Sequence, residues 1–195
     1  MTLTTKKLSF EDYLLYDDGT DNRYELVNGE LVPMGLATGR HGAIIRFLLL
    51  QFEGSLATSQ QPLTVLPGLV GVRSPRGGRW DTCRIPDITV LSQEQWEEMA
   101  EREAVIDLND PPPLLVVEVV SSSTKTDDYR SKRSEYSVLD IPEYWIVDPL
   151  AEKVTVGELN YGFYDLTEFE REQVVKSPIF PQLQLTASQI LTAKL

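Results

Sequence analysis

Apolar positions recur along the chain with two different periods, and their alternation predicts an α/β protein. Residues 41–56 place apolar side chains three and four positions apart, which predicts a helix. Residues 114–120 form a nearly continuous apolar run, which is typical of a strand covered on both faces. Residues 126–139 predict a helix and 143–148 another strand, so this part of the chain should form a right-handed strand–helix–strand crossover.

Shorter patterns complete the prediction. They comprise a capped helix at 9–16, a hairpin at 24–32, bent or paired strands at 63–72, a strand at 85–91, a polar surface helix at 92–103 and a C-terminal hairpin at 153–166. Asn28-Gly29 suits the tight turn of the first hairpin, because both residues tolerate a positive φ. The chain has 195 residues, a length typical of one domain. We expect an N-terminal helix and hairpin at 8–34, a core at 40–149, and a C-terminal hairpin and tail at 150–195.

The chain is acidic, because 30 Asp and Glu side chains outnumber 18 Lys and Arg and give a formal net charge of −12. This balance argues against nucleic-acid binding over the whole surface but leaves room for a local basic site. Cys83 and His41 are the only residues of their types, which excludes an intrachain disulfide framework and a multi-histidine metal site. Because no apolar stretch approaches a membrane span or a signal-peptide core, we expect a cytoplasmic protein without membrane contact. The oligomeric state stays open, a homodimer included.

One acidic residue stands inside the most apolar strand. The period of two along a strand puts Leu114, Val116, Glu118 and Val120 on one face. An ionised carboxylate in such surroundings needs a cation or several hydrogen-bond donors, or else it binds a proton. Glu118 is therefore either part of a functional site or a member of a structural ion pair, unless it lies at a solvent-facing strand end.

A second acid has a similar setting, since Asp87 follows Pro86 within the predicted strand 85–91. A Pro-Asp pair is also common in turns. Two acids near the ends of two strands can converge on one divalent cation, and Mg²⁺ prefers oxygen ligands while keeping several waters. Such an ion can activate a water and offset charge on a phosphoryl group.

A lysine lies on the apolar stripe of the helix that follows Glu118. Helical phase puts Lys132 on one face with Tyr129, Tyr136 and Leu139, and this face should pack on the sheet. Its ammonium either reaches the cavity of Glu118, or extends to the rim, or pairs with Asp128 four residues earlier.

These residues together resemble the PD-(D/E)xK nuclease superfamily. Pro86-Asp87 is followed by Glu118-Val119-Val120 in the spacing of that motif. Longer segments resemble a restriction endonuclease-like family abundant in cyanobacteria, namely 23–34, 86–90, 117–124 and 141–149, together with Asp128, Lys132 and Tyr136. The resemblance runs from about residue 8 to residue 185 in the expected order.

The resemblance implies a restriction-endonuclease-like core, with a mixed central β-sheet flanked by helices, and a metal-dependent endonuclease activity on DNA. It implies Asp87 and Glu118 as ligands of Mg²⁺, for which Mn²⁺ can substitute, and the backbone carbonyl of Val119 as a third ligand. Glu25 matches the acid of the family's first hairpin and is a further candidate for the site. The superfamily's lysine is expected at position 120, which is valine here. Lys132 matches a family position that resembles a migrated catalytic lysine.

Three further features leave alternatives open. His41 could line the site, although a capping or surface position is favoured. The segment Ser121 to Thr124 could bind a phosphate at a helix N-terminus, or it could be a plain capping loop. Two groups of basic residues flank the proposed site and would suit a phosphodiester backbone: Arg73, Arg76, Arg79 and Arg84, and then Lys125, Arg130, Lys132 and Arg133. The alternative function is a catalytically silent nucleic-acid-binding or assembly module that keeps the nuclease fold.

Overall fold

The computed structural model describes residues 7–193, which form two β-sheets with helices packed on them. The five-stranded sheet has the order β2-β1-β5-β4-β7 and contains β1 (Tyr24–Val27), β2 (Glu30–Pro33), β4 (Gly71–Arg76), β5 (Arg79–Arg84) and β7 (Val105–Ile106). The six-stranded sheet has the order β11-β10-β9-β8-β6-β3 and contains β3 (Leu63–Leu66), β6 (Ile88–Ser92), β8 (Leu115–Val119), β9 (Glu143–Asp148), β10 (Lys153–Asn160) and β11 (Phe163–Glu170). Both sheets are mixed, which confirms the α/β class, and the N-terminal hairpin belongs to the five-stranded sheet.

The helices are α1 (Phe10–Leu14), α2 (Gly39–Ser59), α3 (Gln93–Glu97), α4 (Arg133–Val138) and α5 (Ala187–Thr192), with a π-helical segment at Asp127–Lys132 directly before α4. Side-chain oxygens cap four of them, from Ser9, Thr38, Ser92 and Thr186. The prediction was wrong in length for α1 and α3: each has five residues, of which one is buried, Phe10 in α1 and Gln95 in α3, and so little burial supports only a short helix. Helix α2 is longer than predicted and ends at Gln60 in the left-handed region, with φ 55°.

Two short connections carry the chain from one sheet to the other. The predicted strands at 63–72 do not pair with each other, because β3 and β4 belong to different sheets. The predicted strand at 85–91 is also wrong at its start: β5 ends at Arg84, and β6 begins at Ile88. Asp87 therefore lies in the second connection, at the point where the chain enters the six-stranded sheet.

The predicted crossover is confirmed, because β8 and β9 pair in parallel with the π-helical segment and α4 between them. The C-terminal hairpin is longer than predicted, since β10 and β11 stay paired as far as Lys153 and Glu170. Within the described residues, no helix is both long enough and apolar enough to cross a membrane.

Strand β8 separates two apolar clusters. Its residues Leu115, Val117 and Val119 pack in one cluster with the apolar face of α2. Val116 and Val120 pack in the other, which includes Tyr136 of α4. The side chain of Glu118 lies on this second face and touches Tyr136, so the predicted shared face of the strand is confirmed.

Candidate active site

A backbone amide of β8 holds Asp87 directly before the start of β6. Its Oδ2 accepts a hydrogen bond from the Val119 amide at 2.7 Å. Its Oδ1 lies 3.1 Å from Nε2 of His41, in the first turn of α2. The structure therefore brings Asp87 next to the residue that follows Glu118, although the two acids are 31 positions apart in the sequence.

Glu118 is buried and has two side-chain donors from the following helical region. Lys132 Nζ donates to Oε2 at 2.7 Å, and the Tyr136 hydroxyl donates to Oε1 at 2.7 Å. Lys132 is 5% exposed and also lies 3.2 Å from Oδ1 of Asp128. The ammonium thus reaches the carboxylate of Glu118 and pairs with Asp128 at the same time, so two of the alternative interpretations of Lys132 hold together.

Carboxylates outnumber cations in this buried space. Burial raises the pKa of Glu118 to about 8; the Lys132 ammonium opposes the shift, and the carboxylates of Asp128 and Asp87 add to it. Burial alone would lower the pKa of Lys132, but the carboxylates of Glu118, Glu25 and Asp128 outweigh it and raise that pKa. Burial also raises the pKa of Asp128 against the effect of Lys132 and Thr124.

A pH dependence of stability follows for the metal-free protein. The folded state holds a proton on Glu118 more tightly than the unfolded chain does, so the contribution of Glu118 to stability is fully present below the ordinary pKa of 4.5 and is lost as the pH rises through about 8. Glu118→Gln should remove this trend. We expect the free energy of unfolding of the parent to fall, relative to the variant, by about 1–3 kcal/mol between roughly pH 5 and pH 8.

Urea unfolding in EDTA across this pH range measures the difference. Glu94→Gln changes an exposed acid on α3 and should follow the parent at every pH. A parent and a Glu118→Gln variant with parallel pH profiles would show that Glu118 has an ordinary pKa in the folded state.

His41 is a site residue that the sequence analysis did not favour. Its ring nitrogen contacts Asp87, and this contact raises the pKa of the imidazole, while burial opposes the rise. The Thr38 side chain caps the backbone amide of His41, so the residue has a capping environment as well as a place in the site. Its presence in the first turn of the longest helix was the one available signal, but the docking angle of α2 decides where the ring points.

Glu25 contacts the residues that precede Asp87 in the chain. Its Oε1 accepts a hydrogen bond from the Ile85 amide at 2.9 Å, and its Oε2 accepts one from Arg84 Nη1 at 3.0 Å. Both oxygens are therefore directed at the connection that leads to Asp87. Through these two hydrogen bonds, Glu25 fixes the path of the connection.

Every arginine of the first predicted basic group already has an acidic partner. Ion pairs join Arg73 to Asp107 at 2.9 Å, Arg76 to Glu135 at 3.2 Å, Arg79 to Asp81, and Arg84 to Glu135 at 2.8 Å. In the second group Lys125 lies 3.5 Å from Asp148, and Lys132 is buried. Arg130 and Arg133 are exposed and form no ion pair with the rest of residues 7–193.

An exposed arginine outside the two predicted groups lies beside the connection that carries Asp87. Arg23 donates from Nη2 to the Gly68 carbonyl at 2.7 Å, and the Gly68 amide donates to the Asp87 carbonyl at 3.0 Å. Arg23 has no acidic partner among the described side chains. Its guanidinium therefore remains available beside the connection that carries Asp87.

The segment from Ser121 to Thr124 is closed on itself. The Ser121 amide donates to the Thr124 hydroxyl at 3.1 Å, and the Thr124 amide donates to the Ser121 hydroxyl at 3.3 Å. These reciprocal bonds favour the capping-loop interpretation over a phosphate cradle.

The side chains present suit a hard divalent cation held by few protein ligands. Asp87 and Glu118 offer carboxylate oxygens, and several like charges share one buried space, which a cation would neutralise. The part of the chain that the structure describes contains no cluster of three His, Cys, Asp or Glu side chains placed to bind a metal. Any bound Mg²⁺ would therefore keep several waters, as this ion commonly does.

Comparisons with known proteins identify the fold and the family of this chain. No curated protein matches the chain. A crystal structure described as a "putative nuclease belonging to DUF820", from Anabaena variabilis ATCC 29413, superposes with a TM-score of 0.76 at 17% sequence identity. The match covers 96% of this chain and 99% of the other, and it confirms the restriction-endonuclease-like fold. The model of the Uma2 family, described as "Putative restriction endonuclease", matches residues 10–188. The chain therefore belongs to the Uma2 family.

Proposed function

We propose that this protein is a nuclease that hydrolyses phosphodiester bonds of DNA and depends on Mg²⁺, with Mn²⁺ as a substitute. One observation carries the proposal: Asp87 is bound by the amide of Val119, the residue next to Glu118, and the Glu118 carboxylate binds a buried lysine. This set of side chains suits metal-dependent phosphodiester hydrolysis, because it offers oxygen ligands for a hard cation and a positive charge beside them.

Each residue has a distinct role in the proposal. Asp87, Glu118 and the Val119 carbonyl would hold the cation, which supplies an activated water and offsets charge on the phosphoryl group. Lys132 stabilises the negative charge that develops on the phosphoryl oxygens. His41 orients the carboxylate of Asp87 from the side of α2.

A silent binding or assembly module is the second candidate, and one observation favours it. Both oxygens of Glu118 already accept hydrogen bonds, from Lys132 and Tyr136. If that arrangement persisted in the presence of metal, Glu118 would serve only as a buried structural ion pair. The two candidates therefore differ in whether the protein binds a divalent cation.

Isothermal titration with Mn²⁺, together with cleavage of plasmid DNA in Mg²⁺, tests the proposal. The parent should bind one Mn²⁺ and cut DNA, while Asp87→Asn and Glu118→Gln should lose both properties. Glu94→Gln removes one exposed acid and should leave both unchanged. Binding that persists in both site variants would contradict the ligand assignment, and a parent that binds Mn²⁺ without cutting DNA would favour the silent module.

DNA affinity should depend on free arginines rather than ion-paired ones. Arg23→Ala should weaken binding and flatten the slope of log affinity against log salt by roughly 0.9, the loss expected for one phosphate contact on duplex DNA. Arg79→Ala removes the same charge, but Arg79 is held by Asp81 and should leave the slope unchanged. Fluorescence anisotropy in EDTA at several salt concentrations measures both slopes. Equal slopes for the parent and Arg23→Ala would remove Arg23 from the DNA contact.

A further inference from the structure

Asp128 is a buried carboxylate whose contacts lack regular hydrogen-bond geometry. The residue is 1% exposed, Lys132 Nζ lies 3.2 Å from its Oδ1, and neither oxygen accepts a hydrogen bond of regular geometry from a described group. The other buried side-chain atoms without a partner are hydroxyls, on Ser74, Thr89 and Thr155. Burying a carboxylate without regular hydrogen bonds costs far more free energy than burying a hydroxyl. The burial of Asp128 therefore needs an explanation beyond the contacts seen in the metal-free protein.

Lys132 lies between Asp128 and Glu118, and its ammonium is closer to Glu118 than to Asp128. Its Nζ lies 2.7 Å from Glu118 and 3.2 Å from Asp128. The contact with Glu118 is a hydrogen bond, whereas the contact with Asp128 is an ion pair without hydrogen-bond geometry. A lysine ammonium has three donors on a flexible stem, so a small rotation would transfer it from one carboxylate to the other.

Glu25, the third carboxylate that acts on Lys132, cannot take this place. Both of its oxygens are occupied by Arg84 and the Ile85 amide. Asp128 is therefore the acceptor within reach that still has free capacity.

We propose that Asp128 is a positioning residue that takes over Lys132 when Glu118 binds a divalent cation. This inference rests on the proposed function. A cation on Glu118 would share that carboxylate with the ammonium, and two positive charges on one carboxylate repel each other. Asp128 relieves the repulsion by holding the displaced ammonium inside the cavity, where it remains beside the phosphoryl group. Without Asp128, metal binding would leave a buried ammonium without a carboxylate partner, which is strongly unfavourable.

A double-mutant cycle on Mn²⁺ affinity tests the proposal, because it separates positioning of Lys132 from direct metal ligation. Titration calorimetry is performed on the parent, Asp128→Asn, Lys132→Met and the double variant. Asp128→Asn should weaken Mn²⁺ binding at least about tenfold. In the Lys132→Met background the same change should have no effect, since no ammonium remains to be displaced. Asp127→Asn is the matched control, because its side chain is 44% exposed and should leave the affinity at the parental value.

Each other outcome overturns the proposal in a recognisable way. An equal loss of affinity in both backgrounds would show that Asp128 binds the metal itself. No loss in either background would give Asp128 a purely structural role. A parent that binds no Mn²⁺ would overturn the proposed function and this inference together, whereas a binding parent with an unaffected Asp128→Asn variant overturns the inference alone.

A second measurement covers the case in which Asp128→Asn does not fold. The ammonium resonance of Lys132 in the unmodified ¹⁵N-labelled protein is assigned by its loss in Lys132→Met. On saturation with Mg²⁺ this resonance should shift and remain protected from solvent exchange, because the ammonium moves to a buried carboxylate. A resonance that does not shift, or that disappears by exchange, would contradict the transfer to Asp128.

Discussion

Replacing Lys132 by methionine should lower the rate of DNA cleavage about 10²–10³-fold while Mn²⁺ affinity stays at or above the parental value. Methionine keeps most of the apolar stem and removes the ammonium that lies 2.7 Å from Glu118. The loss should appear in the catalytic rate because the charge acts on the phosphoryl oxygens of the transition state. Affinity should not fall, since the ammonium competes with a cation for the same carboxylate.

Single-turnover cleavage at saturating Mg²⁺ measures this rate. Lys176→Met is the control, because Lys176 is exposed and lies outside the elements that carry the candidate site. It should cut DNA at the parental rate. A Lys132→Met protein that also cuts at the parental rate would return Lys132 to the role of a structural counter-ion.

Arg84→Met should destabilise the protein by about 3–5 kcal/mol, because it leaves the Glu25 carboxylate without its cation and leaves buried Glu135 with only the partly exposed Arg76. Arg84 is 2% exposed. Its guanidinium binds Glu135 through Nε at 2.8 Å and through Nη2 at 3.2 Å, and it binds Glu25 through Nη1 at 3.0 Å. It is therefore the central charge of an ion-pair network that joins β1, β5 and α4.

Urea unfolding at neutral pH measures the loss. Arg79→Met breaks an ion pair whose arginine is 46% exposed and should cost less than about 1 kcal/mol. Adding Glu25→Gln and Glu135→Gln to Arg84→Met should recover part of the stability, because the uncompensated charges are then removed. An Arg84→Met protein as stable as Arg79→Met would show that the buried carboxylates take up protons at little cost.

Local periodicity in the sequence correctly predicted which way Glu118 and Lys132 point. The strand period placed Glu118 on the face of Val116 and Val120, and the helical period turned Lys132 toward the same face. Both predictions hold because each concerns a single element and its nearest neighbour. The π-helical form of residues 127–132 was missed, but it keeps Asp128 and Lys132 close enough to form an ion pair.

The remaining contacts of the candidate site join residues that are distant in sequence, and the sequence did not predict them. Arg73 and Arg76 resembled phosphate ligands until their acids were known, and these acids lie 34 and 59 positions further along the chain. The contact of His41 with Asp87 depends on how α2 docks, and 46 positions separate the two residues. Local patterns carry no information on such pairings, because the pairings are set by the packing of whole elements.

The connection of Ile85 to Asp87 has a consequence for the newly synthesised chain. Asp87 takes its place only where the chain leaves the five-stranded sheet for the six-stranded one, and Glu25 and Arg84 anchor that exit from the side of the first hairpin. Glu118 and Lys132 become available later in synthesis, and Arg84 fixes α4 through Glu135. A partly folded chain that has only the five-stranded sheet therefore lacks the set of acids and lysine, because β8 and the helical segment after it complete that set. On the proposed function, the chain would cut DNA only after the six-stranded sheet has formed beside Asp87, so earlier folding intermediates would not damage the DNA of the cell that makes them.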